Sequence, residues 1–176
     1  MSLYGRHDGK VLEMGVFSGG ITRYLSMTYP RMSNTILTDD PAFSNAVDNW
    51  LQSEGIYNVP VLTEPLDKTH FDDESFDLVI LRGAFFFIVS NPPILNEIFR
   101  IIKKDGMAFV GGGFGKGVPD ETINEIKIES QIQNDNLGRR RVTIDQLRMI
   151  LDQVGLTANT KIHEEGGVWL EIRKDI

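Results

Sequence analysis

The chain of 176 residues contains no cysteine, and this absence removes several kinds of chemistry together. It excludes disulfides, thiolate metal sites and cysteine nucleophiles, and it favours a reducing compartment. Long apolar runs are also missing: the most apolar segment, LVILRGAFFFIV, is short and interrupted by Arg82, so no membrane-spanning helix is expected. The opening residues MSLYGRHDGK lack the apolar stretch of a signal peptide, and we expect a cytoplasmic protein.

Positive charge is scarce relative to negative charge, with 18 lysine and arginine residues against 25 aspartate and glutamate residues. The net charge of −7 argues against general binding to nucleic acid or to an anionic membrane, so small molecules are the expected partners. The three histidines are not spaced like metal ligands, and no metal site is expected. With 41% apolar residues and no linker-like segment, residues 1–176 predict one globular domain.

Residues 10–20 read KVLEMGVFSGG, an apolar strand that ends in an acidic residue and continues into a turn of small residues before a helix. A carboxylate at the end of a buried strand is costly unless donors or a ligand satisfy it, so Glu13 predicts a nucleotide-cofactor site. The alternative is a strand-end carboxylate that is satisfied within the fold. A dinucleotide site usually has its acid at the end of the second strand, whereas this chain has acids in both places, Glu13 and Asp39.

Short apolar runs alternate with helical patterns, which is typical of a parallel sheet with crossover helices. The predicted strands are Lys10–Gly15, Thr35–Thr38, Val59–Thr63, Phe76–Leu81, Met107–Gly111, Thr157–Ile162 and Val168–Arg173. The predicted helices are Ile21–Thr28, Phe43–Glu54, Pro92–Lys103 and Thr143–Val154, with a further polar helix at Pro119–Gln133. Asn91 before Pro92 predicts an N-cap, Thr143 with Gln146 predicts a capping box, and Gly155 predicts the end of the last helix.

With Glu13 and Asp39 in these places, the opening resembles the E/D-x-G-x-G-x-G start of the class I S-adenosylmethionine-dependent methyltransferases. The segments SFDLVILRGAFFFI and LNEIFRIIKKDGMAFVGG are similar to the family pattern in which a strand beginning F-D-x-V leads to a helix ending E-x-x-R-x-L-K-P-G-G. The resemblance covers roughly residues 10–113 and is closest to the type 11 branch. It implies a Rossmann-like α/β fold with a seven-stranded, mostly parallel sheet in the order 3-2-1-4-5-7-6, helices on both faces, and S-adenosylmethionine as cofactor.

The resemblance also implies which residues bind the cofactor. The turn after the first strand faces the methionine part, Asp39 or alternatively Asp40 binds the ribose, the Leu66 backbone N–H meets the adenine, and Arg82 borders the methionine end. The implied residues are Glu13, Gly15, Phe17, Ser18, Gly19, Asp39, Asp40, Leu66 and Arg82. The aspartates have a second interpretation as helix caps. Arg82 could clamp an acceptor's carboxylate or phosphate, or form a salt bridge with a nearby acid.

Two positions depart from the family pattern. Phe17 stands where the middle glycine is expected, so its ring could obstruct the cofactor. Pro65 stands where an acid beside the adenine is expected, and Glu64 could replace that acid. The run Phe85–Phe87 could wall an acceptor pocket, but packing in the core is the favoured interpretation.

We expect a methyltransferase that acts on a small-molecule acceptor. No residue is singled out as catalytic, because methyl transfer requires a general base only when the acceptor must lose a proton. About ten residues precede the first strand, fewer than in many members of the family, which predicts an open pocket that a second copy of the chain could close as a homodimer. The alternatives are a non-catalytic binding or regulatory subunit and, less favoured because of Glu13 and Phe17, an NAD-dependent oxidoreductase.

Overall fold

The computed structural model describes residues 4–113, 121 and 142–174. Its strands are β1 Asp8–Met14, β2 Arg31–Thr38, β3 Val61–Thr63, β4 Phe76–Arg82, β5 Ile102–Gly113, β6 Thr160–His163 and β7 Gly167–Ile172. They form one seven-stranded sheet in the order β3-β2-β1-β4-β5-β7-β6. The strands β1 to β5 pair in parallel, whereas β7 runs antiparallel to β5 and β6. The predicted fold class and sheet order are confirmed.

Helices cover both faces of this sheet. They are α1 Gly20–Thr28, α2 Pro41–Ser53, α3 Phe85–Ser90, α4 Pro93–Ile101 and α5 Ile144–Gln153, with a 3-10 turn at Thr157–Asn159. Successive side chains of a strand point to opposite faces. On one face α1 packs over Val11 and Ile80, and α2 packs over Ile36. On the other face α4 and α5 share the largest core cluster with Met14 and Leu81.

Several helix ends are set by the residues that the sequence indicates. Thr143 and Gln146 form the predicted capping box, in which Gln146 N–H donates to Thr143 Oγ1 at 3.2 Å and Thr143 N–H donates to Gln146 Oε1 at 2.9 Å. Gly155 adopts φ of +73° just after α5, the left-handed conformation that glycine favours at a helix end. Asp40 caps α2, so this helix begins at Pro41, two residues before the predicted Phe43.

Other boundaries differ from the prediction. Asn91 is not an N-cap, because its side-chain amide donates to Asp67 and α4 begins at Pro93. The helix ends at Ile101 instead of Lys103, since Ile102 pairs with Phe76 and already belongs to β5. The six-residue helix α3 was not predicted, and the strand predicted from Thr157 begins only at Thr160 after a 3-10 turn. The helix predicted at Pro119–Gln133 lies, apart from residue 121, outside the described residues.

The aspartate of the F-D-x-V pattern fastens the centre of the sheet. Asp77 Oδ2 accepts hydrogen bonds from the Lys10 backbone N–H at 2.7 Å and from Lys103 Nζ at 2.9 Å. Arg6 Nη1 donates to Asp77 Oδ1 at 3.1 Å. Burial alone would raise the pKa of Asp77, but these donors outweigh it and hold the pKa below its ordinary value. Within the described ranges, no helix is long and apolar enough to cross a membrane.

Candidate functional site

The turn between β1 and α1 is held by Glu13. The Glu13 Oε2 atom accepts hydrogen bonds from the backbone N–H groups of Gly19 at 3.0 Å and Thr22 at 2.8 Å. Gly19 has φ of +112°, and a Cβ atom there would lie 2.7 Å from Val47, so glycine alone lets the turn approach α2 this closely. Glu13 therefore satisfies donors at the start of α1 that would otherwise lack acceptors.

Three polar atoms of this turn and the first turn of α1 are buried without a hydrogen-bond partner in the described part of the chain. They are Glu13 Oε1, Ser18 Oγ and Thr22 Oγ1. The three residues are 1%, 8% and 1% exposed, respectively. An unpartnered buried polar group costs about 1–3 kcal/mol, so such groups call for an explanation. A polar ligand that supplied the missing hydrogen bonds would relieve this cost.

Two aspartates follow β2, and they have different surroundings. Asp40 Oδ1 accepts hydrogen bonds from the backbone N–H groups of Ala42 at 2.8 Å and Phe43 at 3.2 Å, which makes it the cap of α2. Asp39 is exposed and lines a pocket, and its side chain forms no hydrogen bond or ion pair within the described ranges. Of the two ribose candidates, Asp39 is therefore the one whose carboxylate is available to a ligand.

The pocket beside Asp39 lies at the carboxyl ends of β2 and β3. Its volume of about 320 Å³ falls in the range of roughly 300–1,000 Å³ that is typical of small-molecule sites. It is lined by Asp39, Thr63, Glu64, Pro65, Leu66, Asp67, Asn91 and Ile94, and we call this set the acidic half of the site. The Leu66 side chain is buried, while its backbone N–H has no acceptor in the part of the chain that the structure describes.

Two carboxylates of the acidic half are oriented by neighbouring side chains. His70 donates its backbone N–H to Glu64 Oε2 at 3.1 Å, and its ring Nδ1 contacts Glu64 Oε1. Asn91 Nδ2 donates to Asp67 Oδ2 at 2.9 Å, an arrangement that leaves Asp67 Oδ1 available. Asp67 is thus a second candidate, besides Glu64, for the acid that Pro65 displaces. Sequence reasoning missed it because its partner lies 24 positions away.

The loop between β3 and β4 is fastened to α4 by a buried carboxylate. Glu97 Oε1 accepts hydrogen bonds from the Thr69 backbone N–H at 2.8 Å and hydroxyl at 2.6 Å, and from Arg100 Nη2 at 2.7 Å. Arg100 Nη1 also donates to Asp73 Oδ1 at 2.7 Å. Burial alone would raise the pKa of Glu97, but the hydrogen bonds from Arg100 and Thr69 hold it below its ordinary value. The E-x-x-R motif therefore fastens the loop whose first residues line the pocket.

Phe17 fills the crevice between the turn after β1 and the turn after β4. Gly83, which follows β4 at φ of +66°, has no side chain, and a Cβ atom there would lie 2.7 Å from Phe17 Cε2. The Phe17 residue is 47% exposed. In an open α/β sheet the ligand crevice lies where the strand order reverses, which here is between β1 and β4. A cofactor entering this crevice would therefore meet the Phe17 ring.

The carboxyl ends of β4 and β5 form the other part of the site, which we call the glycine half: Arg82, Gly83, Gly111 and Gly112. Arg82 ends β4 and pairs in register with Gly111. Its exposed side chain has no ion pair within the described ranges, so the salt bridge that was one of its two predicted roles is not found there. Gly83 and Gly112 are close neighbours, since a Cβ atom on Gly112 would lie 3.7 Å from Gly83 Cα.

The remaining candidate residues from the sequence pack in the core or contact carboxylates of the fold. Phe85 and Phe87 pack against the main core cluster, in agreement with the favoured interpretation. His163 Nε2 lies 2.7 Å from Glu171 Oε2, and His70 contacts Glu64, so both rings have carboxylate neighbours. Among the described residues, no group of three or more histidine, aspartate and glutamate side chains is placed to hold a metal ion.

Comparisons with known proteins agree with this architecture. The sequence model of the methyltransferase domain family matches residues 12–110, more than half of the chain. A protein from Methanococcus maripaludis, provisionally named an S-adenosyl-L-methionine-dependent methyltransferase, is 20% identical with a TM-score of 0.83, over 99% of this chain and 81% of its own. A SAM-dependent methyltransferase from Aquifex aeolicus is 18% identical with a TM-score of 0.67, over 97% and 86% of the two chains.

A third solved structure, coclaurine N-methyltransferase bound to N-methylheliamine and SAH, is 20% identical with a TM-score of 0.54 over 63% of this chain and 32% of its own. No curated protein sequence matches the chain. At these identities the structural likeness shows the fold, whereas the family match rests on the sequence itself. The sequence match covers more than half of the residues, and the sheet order agrees with it. The chain therefore belongs to the class I methyltransferase domain family of the type 11 kind, whose cofactor is S-adenosylmethionine.

Proposed function

We propose that the protein binds S-adenosylmethionine along the carboxyl edge of its sheet and transfers the methyl group to a small-molecule acceptor. The observation that carries this proposal is a group of buried atoms around the turn from β1 to α1 that have no hydrogen-bond partner among the described residues: Glu13 Oε1, Ser18 Oγ and Thr22 Oγ1. The methionine part of the cofactor has an ammonium group that donates hydrogen bonds and a carboxylate that accepts them. Both kinds of partner are what one carboxylate and two hydroxyls need.

The acidic half supports the same proposal for the adenosine part. Asp39 offers two carboxylate oxygens that have no partner in the described part of the chain and that suit the two hydroxyls of a ribose. Hydrogen bonds to a charged acceptor are stronger than neutral ones. The Leu66 N–H and Asp67 Oδ1 offer one donor and one acceptor, which suit a ring nitrogen and the amino group of adenine. The pocket between them is large enough for a small-molecule ligand.

When bound, the cofactor supplies an electrophilic methyl group on a sulfonium. The residues of this chain contribute position: the turn after β1 fixes one end of the ligand, the acidic half fixes the other, and the glycine half leaves room beside the crevice for an acceptor. Orientation alone can supply a large part of the rate of a displacement reaction, so the absence of an assigned general base does not conflict with catalysis.

The proposal is tested by calorimetric titration with S-adenosylmethionine and S-adenosylhomocysteine. For Asp39→Ala we expect affinity to fall at least about tenfold, because charged hydrogen bonds to the ribose are lost. Thr22→Val keeps the shape of the side chain and removes an unpartnered hydroxyl. We expect this substitution to stabilise the free protein and to weaken cofactor binding, two effects that a purely structural threonine would not combine.

A non-catalytic binding subunit is the second candidate, and the Phe17 ring in the crevice is the observation that favours it. The two candidates differ in turnover. Transfer of an isotope-labelled methyl group to any member of an acceptor panel would support the enzyme. Saturable cofactor binding without transfer would support the non-catalytic subunit. The absence of cofactor binding by the folded protein would overturn the enzyme and favour a non-catalytic subunit that has lost the cofactor.

A further inference from the structure

Arg82 has an unusual place in the glycine half. In the register of β1 with β4, Met14 pairs with Leu81, so the next residues along the two strands are Gly15 and Arg82. On its other side Arg82 pairs with Gly111 of β5. Alternation along β4 gives Arg82 the same face as Leu78 and Ile80. Its guanidinium is therefore carried by the central strand of the site, between two neighbours that have no side chains.

Arg82 also has no ion-pair partner within the described ranges, although the chain has an excess of acids. Most arginines in the described ranges form ion pairs with carboxylates: Arg6, Arg23, Arg100, Arg148 and Arg173. Arg82 and Arg31 have no such partner in the same ranges. Arg31 starts β2, at the opposite edge of the sheet from the pocket, and is exposed. Among the arginines that the structure describes, Arg82 alone therefore combines an available guanidinium with a place at the carboxyl edge, where ligands bind.

Glu64 and Asp67, two carboxylates of the acidic half, form no ion pair with Arg82. Glu64 is engaged by His70 and Asp67 by Asn91, and both belong to the acidic half at the ends of β2 and β3. Among the described residues, the carboxyl edge of the sheet thus has the carboxylates of the acidic half at the ends of β2 and β3 and the unpaired guanidinium of Arg82 at the end of β4. Between them lie the glycine and phenylalanine residues of the crevice and the buried Glu13 of β1, whose Oε2 accepts hydrogen bonds from the Gly19 and Thr22 N–H groups.

We propose that Arg82 binds an anionic oxygen group, a carboxylate or a phosphate, of the methyl acceptor. The inference rests on the proposed function, because it places the acceptor beside a bound cofactor. A guanidinium presents a planar fork of N–H donors that matches both groups and remains charged at all ordinary pH values. A sulfonium in the crevice would add a second positive charge, so an anionic acceptor is attracted by two cations and a cationic acceptor is repelled by both.

The test uses the full chain saturated with S-adenosylhomocysteine and three simple probes of similar shape: benzoate, phenyl phosphate and the uncharged benzamide. Binding is followed by calorimetry, and the cofactor affinity of each variant is measured first. We expect at least one anion to bind at least about tenfold more tightly than benzamide, and Arg82→Gln to abolish this preference. Preference for benzoate indicates a carboxylate acceptor, and preference for phenyl phosphate indicates a phosphate acceptor.

Arg31→Gln is the matched control, because it removes the other unpaired arginine from the far edge of the sheet. It should keep the anion preference, and Arg82→Lys should keep only part of it, since an ammonium lacks the fork. The inference is overturned if neither anion binds measurably, if benzamide binds as well as the anions, or if Arg82→Gln keeps the preference. It is also overturned if Arg82→Gln weakens S-adenosylhomocysteine itself, which would assign Arg82 to the cofactor's own carboxylate. Failure of the proposed function would be seen separately, as wild-type protein that binds no cofactor.

Discussion

The acidic half and the glycine half of the site are built in different ways. Side chains fasten the acidic half: Asn91 holds Asp67, and Glu97 holds Thr69 of the same loop. The glycine half is built from backbone, because Gly83 and Gly112 come close through the absence of side chains. Polar contacts that are fully satisfied keep one shape, whereas a glycine surface leaves space whose shape depends on what is placed in it.

This difference fits the two ligands of the proposed methyltransferase. The cofactor is the same molecule throughout the family, and a rigid pocket suits it. Acceptors differ among proteins that share a fold, so the part of the site that receives them is expected to vary. A change in one half should therefore affect its own ligand more strongly than the ligand of the other half.

Replacing Glu97 by alanine is expected to have the largest effect. The substitution removes the acceptor of Thr69 and the buried partner of Arg100, and we expect the free energy of unfolding to fall by about 3 kcal/mol. Cofactor affinity should fall as well, because the loop of the acidic half loses its fastening to α4. Chemical denaturation measures the first effect and calorimetric titration the second.

Asp145→Ala is the matched control for Glu97→Ala. Asp145 pairs with Arg148 at the same i,i+3 spacing, but on an exposed surface, so we expect a change below about 0.5 kcal/mol. Equal losses from both substitutions would show that the burial of Glu97 is irrelevant. Unchanged cofactor affinity in Glu97→Ala would break the proposed link between the fastening and the pocket.

The hydrogen bonds of Glu97 also predict a loss of stability in acid. We expect this loss to be smaller than the effect of replacing Glu97 by alanine. Burial alone would raise the pKa values of Asp77, Glu97 and Glu171, but hydrogen bonds and nearby cations hold them below their ordinary values of 3.8, 4.5 and 4.5. Carboxyl groups with depressed pKa values contribute stability that is present above the unfolded-state pKa and is lost as pH falls through the folded-state pKa. The free energy of unfolding, measured by chemical denaturation, should therefore decline as pH is lowered below these ordinary pKa values. The decline should be shallower in Glu97→Ala, and parallel curves would contradict the assignment.

Replacing Gly83 by alanine is expected to perturb the glycine half of the site. Gly83 has φ of +66°, where a side chain costs about 1–2 kcal/mol, and a Cβ atom would also displace the Phe17 ring. Gly55→Ala is the control, because Gly55 has φ of +78° but open space around it. We expect Gly83→Ala to cost about 1 kcal/mol more than Gly55→Ala. The excess should vanish in a Phe17→Ala background, and an excess that persisted there would show that Phe17 is not the obstacle.

The sequence predicted the positions of acids in the site better than the contacts that hold them. The place of Asp39 just after β2 could be predicted because strand ends and turns have local signatures, and the E-x-x-R pair could be recognised by its spacing. The roles of Thr22 and Asp67 could not, because they depend on Glu13 and Asn91, which approach only through the tertiary fold. Asn91 was predicted to be a helix cap from its neighbour Pro92, and this local rule was overridden by a partner from another loop.

The apolar run at the start of α3 shows a different limit. FFFIVS has no polar residue before its final Ser90, so no helical period can be read from it, and a short helix and a buried loop give the same pattern. The glycine half is similar, because glycines indicate close approach without indicating what approaches. The position of Arg82 at a strand end was predictable, whereas its lack of a partner within the described ranges is a property of the folded chain.

The smallest expected effect separates two neighbouring aspartates. Asp40→Ala removes the cap of α2, and we expect a loss of about 1 kcal/mol in the free energy of unfolding. Cofactor affinity should stay within about twofold of the wild type, because the ribose site is assigned to Asp39. Asp39→Ala should show the reverse pattern, with stability unchanged and affinity lost. If Asp40→Ala instead lowered cofactor affinity more than Asp39→Ala, the carboxylate that caps α2 would also be the ribose ligand, and cofactor binding would be coupled to the start of that helix.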